Sequence, residues 1–156
     1  MPKTDRQPIT ILMADDDDDD RMLAAKALRD SRVANDMRFA VDGEDLLRYL
    51  RRKPPYAAAL DAPRPGIILL DLNMPKMDGR EALSEIKADP DLRHIPVVVL
   101  TTSSADEDIF RTYDLGVNSF ITKPVTFEGL AEVMNTLSRY WFEIVDLPPE
   151  GDGEPV

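Results

Sequence analysis

Ile67-Ile68-Leu69-Leu70-Asp71 is four apolar residues in a row ending on an acid. A strand with one wet face would alternate apolar and polar side chains; this one does not, so it predicts a strand covered on both faces, as in a parallel sheet between two layers of helices. Other segments read as strands and likewise end on polar residues, though less uniformly apolar. Upstream, Ile9-Thr10-Ile11-Leu12-Met13 runs into Asp15-Asp16. Downstream, Pro96-Val97-Val98-Val99-Leu100 runs into Thr101, and Asn118 to Ile121 leads to Lys123-Pro124. A weaker strand, Met37 to Ala40, precedes Asp42-Gly43.

Between the strands the apolar period changes to that of a helix. Met22, Leu23, Ala27 and Leu28 follow the first strand, Leu46, Leu47 and Leu50 the second, and Ala82, Leu83 and Ile86 the third. The third helix should stop near Asp89-Pro90, because proline disfavours helix in the residue before it. Ser104-Ala105-Asp106-Glu107 has capping-box spacing and Gly116 can close that helix in the left-handed conformation. Leu130, Val133, Met134, Leu137, Trp141, Ile144 and Val145 form the stripe of a long last helix. Five strands alternating with five helices imply an α/β class: a doubly wound, five-stranded parallel sheet. Its ligands should bind beyond the carboxyl ends of the strands, where the strand order reverses. Arg51 to Pro65, with four prolines, reads as a loop, its stretch Lys53 to Pro65 being an insert.

The chain of 156 residues suits one domain, expected over residues 9–147, with a polar tail at 1–8 and an acidic, proline- and glycine-rich tail at 148–156. A formal charge of -11 opposes binding to nucleic acid. The absence of cysteine excludes disulfides and thiolate metal sites. No apolar run approaches the ~20 residues of a membrane span or forms a secretory signal, so a cytoplasmic protein with no membrane partner is expected.

Asp15, Asp16, Asp71, Thr101 and Lys123 thus meet at one sheet edge. Clustered carboxylates repel one another unless a cation offsets them, and an oxygen-only set with few protein ligands suits Mg²⁺. Phosphoryl transfer needs its developing charge neutralised, which a cation, the Lys123 ammonium and the Thr101 hydroxyl can share. A calcium loop starting at Asp15 is disfavoured, since its sixth position is Asp20 rather than glycine and its twelfth is Lys26 rather than glutamate. Asp17 to Asp20 read as acids favoured by a helix dipole. Lys123 precedes a proline, so that bond is a candidate for the cis form. His94, the one histidine, reads as a loop residue.

Asp15-Asp16, the stretch Leu70-Asp71-Leu72-Asn73-Met74-Pro75-Lys76-Met77-Asp78-Gly79, Val99-Leu100-Thr101-Thr102 and Thr122-Lys123-Pro124 together resemble the signature of response-regulator receiver domains, over roughly Ile9 to Val145. The resemblance implies a flavodoxin-like receiver fold in a protein that is no enzyme beyond its own phosphotransfer and dephosphorylation. It implies Asp71 as phosphoacceptor from a sensor histidine kinase, Asp15 and Asp16 as metal ligands with Asp71 and the Asn73 backbone carbonyl, and Lys123 and Thr101 as catalytic partners of the phosphoryl group. It further implies Thr101 and Phe120 as a coupled switch. Arg64-Pro65, the segments above and Trp141-Phe142 resemble most the small regulators partnered with cyanobacterial and bacterial phytochromes, which would make the kinase a bacteriophytochrome. With the chain ending soon after the fifth helix, output is expected through protein contacts or a downstream phosphotransfer protein.

Two other readings use much of the same chemistry. A haloacid-dehalogenase-type phosphatase also forms an aspartyl phosphate, but it resembles Asp-x-Asp where this chain has Asn73, and its acid pair comes last rather than first. A pseudo-receiver would bind partners without phosphorylation, against which stands the complete residue set. Tyr140, Trp141, Phe142, Ile144 and Val145 are apolar around more of the helix than one core-facing stripe requires, and are expected to form a homodimer interface.

Overall fold

The structure, a computed structural model, describes residues 9–29, 36–56, 62–102, 105–124, 126–137 and 139–140. Its elements run β1 (Thr10–Ala14), α1 (Asp18–Arg29), β2 (Asp36–Ala40), α2 (Gly43–Leu50), β3 (Ile67–Leu70), α3 (Gly79–Ala88), β4 (Val97–Thr101), α4 (Asp106–Leu115), β5 (Ser119–Thr122) and α5 (Phe127–Leu137). The sheet is wholly parallel in the order β2-β1-β3-β4-β5. That is the doubly wound order expected, with its reversal between β1 and β3.

Because side chains alternate across a strand, each strand feeds two cores. Leu12, Ala14, Ile68, Leu70, Val97 and Val99 face α2 and α3, where Leu46, Leu47, Ala82, Leu83 and Ile86 are buried. Ile11, Met13, Ile67, Leu69, Val98 and Leu100 face Ala24 and Ala27 of α1 and Leu130, Met134 and Leu137 of α5. All four residues of β3 are buried, as its uninterrupted run requires.

The helix faces are less uniform than periodicity suggests. Met22, expected on the buried stripe of α1, is exposed, while Ala24 and Ala27 are buried. Small alanines let α1 lie close against the sheet, leaving the longer methionine turned out. Helix α4 starts after Ala105, which has no side-chain cap hydrogen bond, and Ser104, on which the expected capping box depends, lies outside the described residues. Gly116 closes α4 with φ 107°, as expected. The buried residues of α4 are polar, Asp108 and Thr112. Asp108 takes a two-pronged ion pair from Arg80 at the start of α3, 2.6 Å on each arm, so charge pairing carries part of the α3–α4 packing.

Tyr49 and Tyr56 pin the segment after α2. Their rings lie 5.1 Å apart, and their hydroxyls donate to the Pro63 carbonyl at 2.9 Å and to Asp45 at 2.8 Å. Among the described residues the cis peptide bond is Pro54–Pro55, not Lys123–Pro124. No described helix is long and apolar enough to cross a membrane.

Candidate functional site

The residues after the central strands extend the sheet by a rung, which fixes where their side chains start. The Asp15 amide donates to the Ala40 carbonyl at 3.0 Å, the Asp71 amide to Ala14 at 3.0 Å, and the Lys123 amide to Thr101 at 2.7 Å. Asp71 and Asp15 therefore leave neighbouring strands at the reversal point, with Thr101 and Lys123 beyond them.

Asp71 is nearly buried, and its two oxygens have different neighbours. Oδ1 accepts from the Thr101 hydroxyl at 2.7 Å and from the Asn73 amide at 3.1 Å. Oδ2 faces the Lys123 ammonium at 3.5 Å. That ammonium lies closer to two other carboxylates, Asp15 at 2.5 Å and Asp20 at 2.8 Å. The Asn73 side-chain amide reaches toward the Thr101 and Thr102 hydroxyls at 3.4 and 3.3 Å.

Burial penalises charge here, and neighbours partly restore it. Desolvation lifts the Asp15 carboxyl to about 6, against the lowering pull of its hydrogen bond from Lys123. Burial also works against the Lys123 ammonium, but its bonds to Asp15 and Asp20 outweigh this and hold its pKa above the ordinary lysine value. Carboxylate oxygens of Asp15, Asp16 and Asp71 lie within 4.8 Å of one another. Three hard oxygen donors converging beside a single ammonium fit a small divalent cation in chemistry and in charge.

The structure thus brings Asp15, Asp16, Asp71, Asn73, Thr101 and Lys123 together. Phe120 is half-buried in β5, packed against the α2–α3 core, with its amide donating to the Tyr113 hydroxyl at 3.1 Å. Tyr140 is 53% exposed. Trp141, Phe142, Ile144 and Val145 lie outside the described residues. His94 is an exposed turn residue, as expected.

Two participants escape the sequence reading. Asp20 was one acid among six; its position one turn into α1 aims it at Lys123, while Asp17 before the helix caps it by accepting from the Asp19 amide at 2.9 Å. Gly79 reads as the end of a turn, yet it marks a close approach. A Cβ built there would stand 2.2 Å from the Asp71 carbonyl oxygen. The Asp78-Gly79 pair was its signal in the sequence, without the partner.

Residues 11–135 match the family described as the response regulator receiver domain. The chain is 38% identical over 148 residues to response regulator Rcp1 of Synechocystis sp., covering 95% of this chain and 99% of the relative. The crystal structure of the Mn²⁺-bound form of Rcp1 superposes with a TM-score of 0.86 at 40% identity, covering 90% of this chain and 99% of the other. The phosphorylated cyanobacterial phytochrome response regulator RcpA gives a TM-score of 0.86 at 42% identity, covering 91% and 99%. A sheet-edge cluster of this kind is where receiver domains take a divalent metal. Sequence, sheet order and site agree, and on them the chain belongs to the response regulator receiver family, which works in signalling rather than as classical enzymes.

Proposed function

We propose that this protein accepts a phosphoryl group from a sensor histidine kinase onto Asp71 and signals through the resulting change of shape. The carrying observation is the division of labour around Asp71: Oδ1 is held by Thr101 and the Asn73 amide, while the bond to Oδ2 among the described residues is the longer one from Lys123. One oxygen is oriented and the other is available as nucleophile. It attacks the phosphorus of a phosphohistidine, an O–P bond forms as the P–N bond breaks, and the electron pair stays on the imidazole nitrogen, which takes a proton from water. Asp15, Asp16 and Asp71, with the Asn73 carbonyl, would hold Mg²⁺, which supplies charge neutralisation and alignment when bound. Lys123 then pairs with a phosphoryl oxygen.

Thr101 is the natural reporter, because its hydroxyl already contacts the group that changes. Bonding to a phosphoryl oxygen would draw it and Phe120 along, passing the change to β5 and α4. The likeness to Rcp1 and RcpA favours a phytochrome kinase as donor and protein contacts, including a downstream phosphotransfer protein, as output. The receiver unit is taken as residues 9–147 and placed in the cytoplasm.

With acetyl phosphate and Mg²⁺, intact-protein mass spectrometry is expected to record a gain of one phosphoryl group, lost when the metal is chelated. No gain overturns the reading in favour of a binding module. Multiple-turnover hydrolysis of a phosphate monoester overturns it in favour of a phosphatase, for which Asn73 offers no acid two residues past the nucleophile.

A homodimer through Tyr140, Trp141, Phe142, Ile144 and Val145 belongs to the same proposal. It is supported by the exposure of the large side chain of Tyr140, the member of that set among the described residues. Sedimentation at micromolar concentration is expected to give a dimer mass that Trp141→Ala lowers; a monomer with and without phosphorylation refutes it.

A further inference from the structure

We infer that Asp20 is a positioning residue for Lys123, the carboxylate that keeps this lysine at the site when Asp15 turns to a metal ion. This rests on the proposed phosphoacceptor reading and extends it to a residue outside the three-carboxylate group. Lys123 is only 5% exposed at its side chain, so its ammonium depends on protein partners. Its shortest bond, 2.5 Å, goes to Asp15. Asp15 is also one of the three residues whose oxygens converge for a cation. The same carboxylate is therefore claimed twice.

Asp20 resolves the conflict by its place in the fold. It lies on the first turn of α1, 2.8 Å from Lys123 Nζ and 19% exposed, and it is not a member of the converging group. The remaining partner, Asp71 at 3.5 Å, is too far to hold the ammonium alone. With Asp20 present, Asp15 can leave Lys123 without stranding a buried charge. Without it, a cation must compete with Lys123 for Asp15, and Lys123 loses its anchor beside Asp71. The neighbouring acids do not share this role: Asp18 pairs with Arg21, and Asp19 is exposed.

The test compares Asp20→Asn with Asp19→Asn, which removes the same formal charge from an exposed position of the same helix turn. Mn²⁺ affinity is read by electron paramagnetic resonance titration, and Asp71 labelling by mass at saturating Mg²⁺ and acetyl phosphate. Asp20→Asn is expected to weaken Mn²⁺ binding about tenfold, the scale of losing an outer partner of a metal ligand, and to slow labelling at saturating metal. Asp19→Asn should change either by less than about twofold, since its charge is screened by solvent. In a Lys123→Met background, where no ammonium competes for Asp15, Asp20→Asn should fall to the level of Asp19→Asn. Equal effects of Asp20→Asn and Asp19→Asn overturn the inference, as does an undiminished Asp20→Asn effect in the Lys123→Met background. A wild-type protein that neither binds Mn²⁺ nor takes up phosphate overturns the proposed function instead, and the inference with it.

Discussion

Replacing Gly79 by alanine is expected to destabilise the fold by upward of about 3 kcal/mol and to suppress phosphoryl uptake at Asp71 together with it. Two effects oppose each other at this position. Gly79 opens α3, and alanine in a helix is favoured over glycine by about 1 kcal/mol. The new Cβ would stand 2.2 Å from the Asp71 carbonyl oxygen and 2.7 Å from the Leu72 Cα. No rotamer relieves a contact between backbone atoms, so the clash wins over propensity. What has to yield is the start of α3 or the backbone of Asp71 itself, which the Gly79 amide ties down through its bond to the Leu72 carbonyl at 2.9 Å. Gly116→Ala is the comparison. Its φ of 107° disfavours a side chain, but a Cβ there meets only Lys87 at 3.8 Å, far from the site. It should cost about 1 kcal/mol and leave labelling intact. Urea midpoints with labelling rates separate the two, and a Gly79→Ala protein as stable as the wild type would refute the close-approach argument.

This contrast also marks what was legible in the chain and what was not. The order of strands and helices could be read because strands buried on both faces, such as Ile67 to Leu70, leave no polar alternation to mislead. The site could be read because a doubly wound sheet delivers its strand ends to one edge, so Asp15, Asp71, Thr101 and Lys123 were legible from their joint order, each just beyond or at the end of a strand. Contacts set by distance in space left weaker traces. Asp20 looks like each of its neighbours in an acidic run, and only the turn of α1 decides which carboxylate faces Lys123. One position of α1 differs for a related reason: Ala27 is buried and Leu23 packs on the core as the stripe requires, but hydrophobicity puts Met22 inside where the packing takes Ala24 instead. Helix α4 is anchored by the Arg80–Asp108 pair rather than by an apolar stripe, and periodicity carries no information about a bond between residues 28 positions apart.

Asp71→Asn should abolish phosphoryl uptake and, without metal, raise the melting temperature. Asparagine keeps an oxygen to accept from Thr101 and the Asn73 amide, so the local geometry survives. What it removes is an anion beside Asp15 and Asp16, and the cation bonded to it among the described residues, Lys123, already has two nearer partners. At an effective dielectric of about 20, two unit charges 4 Å apart interact by roughly 4 kcal/mol, so repulsion from the Asp15 and Asp16 carboxylates together outweighs one attraction at 3.5 Å. After relaxation and screening, a net gain of about 1 kcal/mol is expected. Divalent metal should reverse the order. A cation at one hundred times its dissociation constant stabilises the wild type by about 2.7 kcal/mol, and Asp71→Asn forfeits much of this with one of its three carboxylate ligands. The two melting curves should therefore cross on titration with Mg²⁺, the variant melting higher at first and lower at saturation. A variant less stable than wild type in chelator, with its geometry intact, would mean that Lys123 already neutralises the cluster. The site would then be a settled ion-pair network instead of one held open for a metal and a phosphoryl group.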